Sequence, residues 1–224
     1  MFLRKIALLY VFIILFSCKE VKKETEDTAK NVLSLPEKIA KAHGYSNWNL
    51  VKNIAFTFNV DRDSTHFERT WVWNTKNNDI ASISGTDRLR YNRKEMDSIA
   101  HKTNSGFIND RYWLLAPFNL IWDENSYEHE LTKDVISPIG KKPMDVLTIV
   151  YDNKGGYTPG DAYDLYFDDD YIIREWVFRK ANQAEPSMTT TWENYTAING
   201  LKLALDHKTA EGNFNLYFTG IKVE

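Results

Sequence analysis

The chain has 224 residues, of which 28 are basic and 31 acidic, giving a formal net charge of −3, and 43% of its residues are hydrophobic and 14% aromatic. This composition excludes a disordered or low-complexity chain. No basic stripe with interleaved aromatic residues occurs, so nucleic acid is not an expected partner.

The N-terminus has the pattern of an export signal. Arg4 and Lys5 precede an apolar run of eleven residues, 6–16, which is typical of a secretory signal peptide. As a helix this run would rise only about 16 Å, roughly half of a bilayer's hydrocarbon core, so a permanent membrane span is disfavoured. The run ends in Leu-Phe-Ser-Cys at 15–18, which resembles the lipobox of bacterial lipoproteins.

Cys18 is the only cysteine of the chain. The lipobox resemblance implies that residues 1–17 are removed and that Cys18 is lipidated and anchors the protein to a membrane. A free reactive thiol or an intermolecular bridge is the alternative. Without Arg4 and Lys5 the mature chain has 26 basic and 31 acidic side chains, a net charge of −5. Residues 18–33 are too polar for a core and are interpreted as a tether.

The expected location is the cell envelope. Lys19 follows the cysteine in place of the aspartate that marks inner-membrane retention in some bacteria, so the outer membrane is predicted. Its periplasmic and surface faces both stay open.

The first half of the remaining chain mixes helix and strand patterns. Ser34, Pro36 and Glu37 are helix start signals and Gly44 is a stop signal, so a short helix is predicted between them. Alternating apolar residues predict strands at 55–60, 67–73 and 79–89. Helical spacing returns in two windows, 93–103 and 106–122, with Pro117 expected to end a helix.

The second half is predicted to be all strand, and residues 34–224 are predicted to form a single domain. Turn residues such as Asn199-Gly200 separate the strands, and short connections of this kind imply an antiparallel meander. The predicted class is therefore α+β, mainly β. The six predicted strands are 146–151, 162–167, 171–179, 187–195, 201–207 and 214–223.

This element order resembles the architecture of periplasmic lipoprotein carriers and outer-membrane lipoprotein receptors of the LolA/LolB type. The resemblance implies a half-barrel, a curved antiparallel sheet wrapping around a few helices, with an apolar cavity that accepts acyl chains. A closer resemblance is to a family of uncharacterised Bacteroidota lipoproteins, carried by AKAHGYSNW, INDRYWLLAPFNLIWD, GGYTPGDAYDLYFDDDYIIREWVFRK and EPSMTTTWENY. No activity is established for that family, so the resemblance implies none for this chain.

The densest apolar cluster of the chain lies in the second helical window. One interpretation is a core helix packed into the concavity of the sheet. The other is the lining of a cavity for an acyl chain or a lipidated partner protein, since pockets for apolar ligands need mainly aromatic and aliphatic walls. The leading hypothesis is this non-enzymatic lipid binding. Its predicted lining residues are Tyr112, Trp113, Leu115, Phe118 and Trp122.

Two other functions are compatible with the sequence. A surface glycan-binding module would use Trp48, Trp71 or Trp73 as exposed stacking platforms, and a hydrolase would need a pair of carboxylates in a cleft. The acidic turn Asp168-Asp169-Asp170 lacks the glycine and distal glutamate of an EF-hand loop. The five histidines show no zinc-ligand spacing, and no G-x-S-x-G elbow occurs. We therefore assign no catalytic residue, metal ligand or cofactor.

Overall fold

The computed structural model describes residues 32–224, and residues 33–224 form one compact unit. The predicted signal peptide, Cys18 and nearly all of the tether lie outside the described residues. The helices are α1 (Leu35–Ala42) and α2 (Ser98–Trp122), with a 3-10 turn at Tyr45–Leu50. The strands are β1 (Asn53–Arg62), β2 (Thr65–Asn74), β3 (Asp79–Ser84), β4 (Asp87–Asn92), β5 (Tyr127–Ile136), β6 (Pro143–Tyr151), β7 (Ala162–Phe167), β8 (Ile173–Arg179), β9 (Met188–Thr191), β10 (Glu193–Ile198), β11 (Leu201–Lys208) and β12 (Phe214–Val223).

The start and end of α1 follow the sequence signals. The Ser34 hydroxyl accepts from the Glu37 N–H at 3.4 Å, and the Glu37 carboxylate accepts from the Ser34 N–H at 2.6 Å, which is a capping box. Gly44 follows the helix with φ 90°, and a Cβ there would lie 2.1 Å from the Gly200 carbonyl oxygen. The predicted helix is confirmed, and its final glycine allows the chain to approach the β10–β11 turn.

The strands pair entirely in antiparallel fashion. Seven form one sheet in the order β10-β11-β12-β1-β2-β3-β4, and five form another in the order β5-β6-β7-β8-β9. The two sheets meet at Trp192, whose N–H donates to the Arg174 carbonyl of β8, while the Lys208 N–H of β11 donates to Thr191 Oγ1. We call this junction the crease. The predicted class, mainly β with a curved, open antiparallel sheet and a few helices, is confirmed.

The two helical windows of the middle section form one helix. Pro117 was expected to end a helix, but α2 continues to Trp122. Proline removes a backbone N–H and clashes with the preceding turn. The helix absorbs this through a kink at Leu115, whose φ of −124° and ψ of 22° are not helical. The prediction of two segments was therefore wrong.

Three strand predictions also differ from the structure. The segment 79–89 is a hairpin, because Gly85 turns the chain with φ 56° between β3 and β4. The segment 187–195 breaks at Trp192 into β9 and β10. Strand β5 was missed because nearly all of its side chains are exposed on both faces, so it has no alternation of apolar and polar residues to detect.

Helix α2 contacts both sheets. Phe107 packs against Trp71 of β2 with ring centroids 5.5 Å apart, and Trp113 packs against Trp176 of β8 at 4.4 Å. The buried apolar residues around these contacts form one continuous core. In the described part of the chain, no helix combines the length and the apolar character needed to cross a bilayer.

Candidate functional site: a cleft between α2 and strands β2 to β4

The predicted cavity-lining residues lie in the core. Tyr112, Trp113, Leu115 and Phe118 are buried and Trp122 is half-buried. The Tyr112 ring stacks on another ring, that of Tyr157, at 3.6 Å, and Phe118 contacts Trp122 at 5.9 Å. The structure brings these five residues together with other aromatic side chains as packing partners. That they line a ligand cavity stays a prediction.

A separate cleft opens where the first half of α2 faces β2, β3 and β4. Its volume is about 470 Å³, within the roughly 300–1,000 Å³ range of small-molecule sites. We call it the α2 cleft. It is lined by Arg69, Trp71, Ser82, Ile83, Ser84, Asp87, Arg88, Leu89, Ile99, Lys102 and Thr103.

The sheet side of the α2 cleft is built by strand register. Trp71 of β2 pairs with Ser82 of β3, which pairs with Leu89 of β4. Directly paired residues project from the same face of an antiparallel sheet. The three side chains therefore form one row, apolar except for the Ser82 hydroxyl, across the floor of the cleft.

The helix side is set by the start of α2. Asp97 caps the helix, its carboxylate accepting from the Ala100 N–H at 2.8 Å, as N-cap residues do. Ile99 then lies in the first turn with 65% of its surface exposed. A single exposed isoleucine is ordinary, but Ile99 lines the same cleft as Leu89. The rim is thus apolar on both sides.

A buried ion pair fixes the inner end of the cleft. Asp110 of α2 is 0% exposed and accepts from Arg69 Nε at 2.9 Å and Arg69 Nη2 at 2.6 Å. Trp71 Nε1 and Asn109 Nδ2 also donate to this carboxylate, at 2.8 and 3.1 Å. Burial raises the pKa of the Asp110 carboxyl above its ordinary value, although Arg69, Asn109 and Trp71 act to lower it. The bidentate pair ties α2 to β2.

Charged residues surround the opening. Arg88, Lys102 and Asp87 are exposed. Arg88 Nη1 donates to the Gly85 carbonyl at 3.0 Å, which holds this guanidinium at the β3–β4 turn. Arg69 is paired with Asp110, and Arg88 precedes Leu89 and so projects from the opposite face of β4, which leaves Lys102 and Asp87 as the charges that face the opening. An apolar wall with a charged rim suits an amphiphile with a polar head.

The structure bears on the two alternative functions. Trp71 and Trp73 are buried and Trp48 is half-buried, so the prediction that Trp71 or Trp73 is an exposed stacking platform is wrong. Among the described residues the buried carboxylates are Asp110 and Glu175. Each already accepts several hydrogen bonds from its own neighbours. Within residues 32–224, no group of three or more His, Cys, Asp or Glu side chains could hold a metal ion.

Sequence reasoning missed the Arg69–Asp110 pair, which joins positions 41 residues apart. The sequence pattern around each of the two residues nevertheless contained a signal. Arg69 alternates with Phe67, Trp71 and Trp73 on one face of its strand, and Asp110 follows Phe107 at helical spacing on the apolar face of α2. A charged residue within each of two apolar faces indicates that the two charges meet.

No protein-family model matches the chain, and no curated protein sequence matches it. The structure is similar to that of a DUF1329 family protein from Desulfovibrio piger, with a TM-score of 0.47 and 8% identity over 85% of this chain and 92% of that chain. A LolA superfamily protein from Nitrosomonas europaea is similar with a TM-score of 0.46 and 11% identity over the same shares. The MucA/MucB complex of Pseudomonas aeruginosa gives 0.28 and 10% over 84% of this chain and 56% of that chain. All three scores are below 0.5, so the fold assignment rests on the strand pairing described above.

Proposed function

We propose that this protein is a lipid-anchored protein of the cell envelope whose domain binds an amphiphile, either a free acyl lipid or a lipid-modified partner, without catalysis. The observation that carries the proposal is the α2 cleft, which combines the Trp71–Leu89 floor with the basic side chain of Lys102. The predicted outer-membrane location and membership of a Bacteroidota lipoprotein family are part of the proposal.

The chemistry of the cleft favours an amphiphile over a sugar or a fully apolar ligand. Covering the apolar side chains of both walls with an acyl chain removes them from water, which is favourable by about 25 cal/mol per Å² of buried apolar area. Lys102 is exposed at the opening, where a polar head would stay hydrated. Such a ligand would place its chain against Leu89 and Ile99.

Binding is tested by native mass spectrometry of the full-length protein purified from bacteria, together with titration of a fluorescent fatty acid. The expected results are a copurified adduct of acyl-lipid mass and saturable uptake that unlabelled oleate displaces. The absence of both the adduct and saturable uptake would refute amphiphile binding. The anchor is tested separately by metabolic labelling with an alkyne fatty acid, where label should enter the wild type and not Cys18→Ser.

A further inference from the structure

Arg111 of α2 carries a positive charge that no carboxylate of residues 32–224 contacts. Its guanidinium carbon lies over the ring of Trp73 at 5.8 Å and over the ring of Trp122 at 5.0 Å, measured to the ring centroids. In the described part of the chain, the arginines that form ion pairs are Arg69, Arg174 and Arg179. Arg111 is therefore held by aromatic rings and has no counter-charge beside it.

The end of the Arg111 side chain can be reached from solvent. The residue as a whole is half-buried. Its Nε is buried and has no hydrogen-bond partner, so the accessible guanidinium nitrogens are Nη1 and Nη2. Both neighbouring rings are indoles, which offer a hydrogen-bond donor and no acceptor. The cation–π contacts thus stabilise the charge but leave its N–H groups without an acceptor.

A second arginine, Arg93, follows β4 directly and lies against the same face of α2. Arg93 Nε donates to Asn104 Oδ1 at 3.1 Å, and the guanidinium carbon lies 5.4 Å from the centroid of the Phe107 ring. Asn104, Phe107 and Arg111 are spaced by three and four residues, which places them along one helix face. Trp73 packs on Phe107 at 5.5 Å, so the two guanidiniums lie over adjacent rings. We call Arg93 and Arg111 the arginine pair.

The two charges lie in a partly dry environment and repel each other. Burial, and after it the positive charge of Arg93, lower the pKa of Arg111 to about 10, and burial lowers the pKa of Arg93. Asp123 acts in the opposite direction on Arg111, but its Oδ2 already accepts from Asn119 Nδ2 at 2.7 Å and from the Tyr151 hydroxyl at 3.1 Å. Two like charges in such surroundings are unfavourable unless an anion joins them.

We propose that the arginine pair binds a phosphate group, either free phosphate or the phosphomonoester head of a lipid. A guanidinium holds an oxyanion through two parallel N–H···O bonds. A phosphomonoester offers three oxygens and a charge of about −1.5 to −2, which matches two guanidiniums better than the two oxygens and single charge of a carboxylate. Neither arginine lines the α2 cleft, so this inference goes beyond the proposed function and does not depend on it.

Binding is tested by isothermal titration of the full-length protein at constant ionic strength with inorganic phosphate, the short-chain lipid dihexanoyl phosphatidate, and acetate. Both phosphate-bearing probes should bind saturably, and acetate should not bind in the same concentration range. A preference of about tenfold or more for the phosphatidate would identify a lipid head as the source. Similar affinities for the two probes would identify free phosphate.

Matched variants assign the binding to the arginine pair. Arg111→Met and Arg93→Met keep the apolar stem of the side chain and remove its charge. Each should weaken phosphate binding about tenfold or more, the effect of losing charge-assisted hydrogen bonds. Arg90→Met removes the same charge from an exposed position of β4, where the side chain pairs with Ala81 on the other face of the sheet. This variant should bind phosphate like the wild type.

A stability measurement gives a second readout. Phosphate should increase the urea midpoint of the wild type, because a ligand that binds the folded state stabilises it. The increase should disappear in Arg111→Met and persist in Arg90→Met. Should Arg111→Met fail to fold, Arg93→Met, which changes a half-buried residue outside any helix or strand, supplies the same comparison.

The proposed site is overturned if neither phosphate-bearing probe binds saturably, or if acetate binds as tightly as phosphate. It is also overturned if Arg90→Met loses as much affinity as the variants of the arginine pair, or if the gain in stability survives in both of those variants. Each of these results leaves amphiphile binding at the α2 cleft intact. Conversely, loss of fatty-acid uptake with phosphate binding retained would refute the proposed function and leave the arginine pair standing.

Discussion

Gly106 of α2 lies against the guanidinium of Arg69 on β2. A Cβ at position 106 would stand 2.6 Å from Arg69 Nη1 and 3.0 Å from Arg69 Cζ. Glycine in a helix is normally unfavourable by about 1 kcal/mol relative to alanine. Here its lack of a side chain leaves room for Arg69 to reach Asp110.

Gly106→Ala should therefore destabilise the protein despite its better helix propensity. Arg69 is held by the buried Asp110 carboxylate through two nitrogens, so it cannot move aside without breaking the ion pair. We expect a net loss of about 1–3 kcal/mol in the free energy of unfolding, the usual cost of overpacking, measured by urea denaturation. Ser105→Ala, at an exposed position one residue earlier, should change stability by less than about 0.5 kcal/mol. A stabilised Gly106→Ala variant would show that Arg69 has room to move.

Arg69→Met should cost about 3 kcal/mol or more at neutral pH, because the Asp110 carboxylate would stay buried without its counter-charge. The loss should be smaller at pH 5 than at pH 7.5. Burial already raises the pKa of Asp110 in the folded protein, and removal of Arg69 raises it further. A group with a raised folded-state pKa loses its stabilising contribution as the pH increases through that pKa.

The double variant Arg69→Met/Asp110→Leu is the control for this charge effect. It should be less destabilised than Arg69→Met alone and should lose most of the pH dependence, since no buried carboxylate remains. Trp71 Nε1 then lacks its acceptor, so full recovery is not expected. A double variant no more stable than the single one would contradict an electrostatic origin of the loss.

The sequence allowed prediction of local structure where one residue type carries the signal. Ser34 and Glu37 predicted the start of α1, and turn residues predicted most of the meander. The prediction that a helix ends at Pro117 was wrong, because the core contacts of α2 on both sides of the kink outweigh the local cost of a proline in a helix. Strand β5 was undetectable, because pairing with β6 rather than burial defines it.

The candidate site was harder to predict than the fold. The α2 cleft depends on which strand faces which helix, and Arg69 and Asp110 come together only through that long-range packing. The residues singled out for a cavity, such as Tyr112 and Leu115, are those that the apolar pattern marks as core. Apolar composition is common to a filled interior and a ligand cavity, so the pattern alone does not separate the two.

Acid should destabilise the protein through two buried histidines. Burial lowers the pKa of His43 to about 4 and that of His207 to about 3, from 6.5 in the unfolded chain. Their contribution is complete above pH 6.5 and is lost as the pH falls towards the folded-state values. Between about pH 6 and pH 5 the unfolding free energy should decrease with a slope approaching 1.4 kcal/mol per pH unit for each histidine.

His207→Phe should remove about half of this slope, as measured by urea denaturation at closely spaced pH values. His101→Gln, at an exposed position on α2, should keep the wild-type slope. An unchanged slope in His207→Phe would mean that His207 takes up its proton without unfolding.

Charge reversal at the α2 cleft should weaken the binding of an anionic amphiphile. Lys102→Glu is expected to reduce affinity for oleate several-fold to about tenfold at low salt, and the reduction should shrink in 1 M salt because exposed charges are screened. Lys222→Glu makes the same charge change at an exposed position of β12 outside the cleft. Equal losses in Lys222→Glu would point to a general charge effect and away from this cleft.

Ile99→Asp separates binding from folding. Ile99 is largely exposed in the first turn of α2, where a carboxylate interacts favourably with the helix dipole, by about 0.3–1 kcal/mol. The variant should therefore be as stable as the wild type, yet bind oleate and monoolein about tenfold or more weakly, because it puts a charge on the apolar wall of the α2 cleft. His101→Asp adds the same charge two residues later at a position that does not line the cleft and should bind normally. Full affinity in Ile99→Asp would mean that the acyl chain is held elsewhere in the domain.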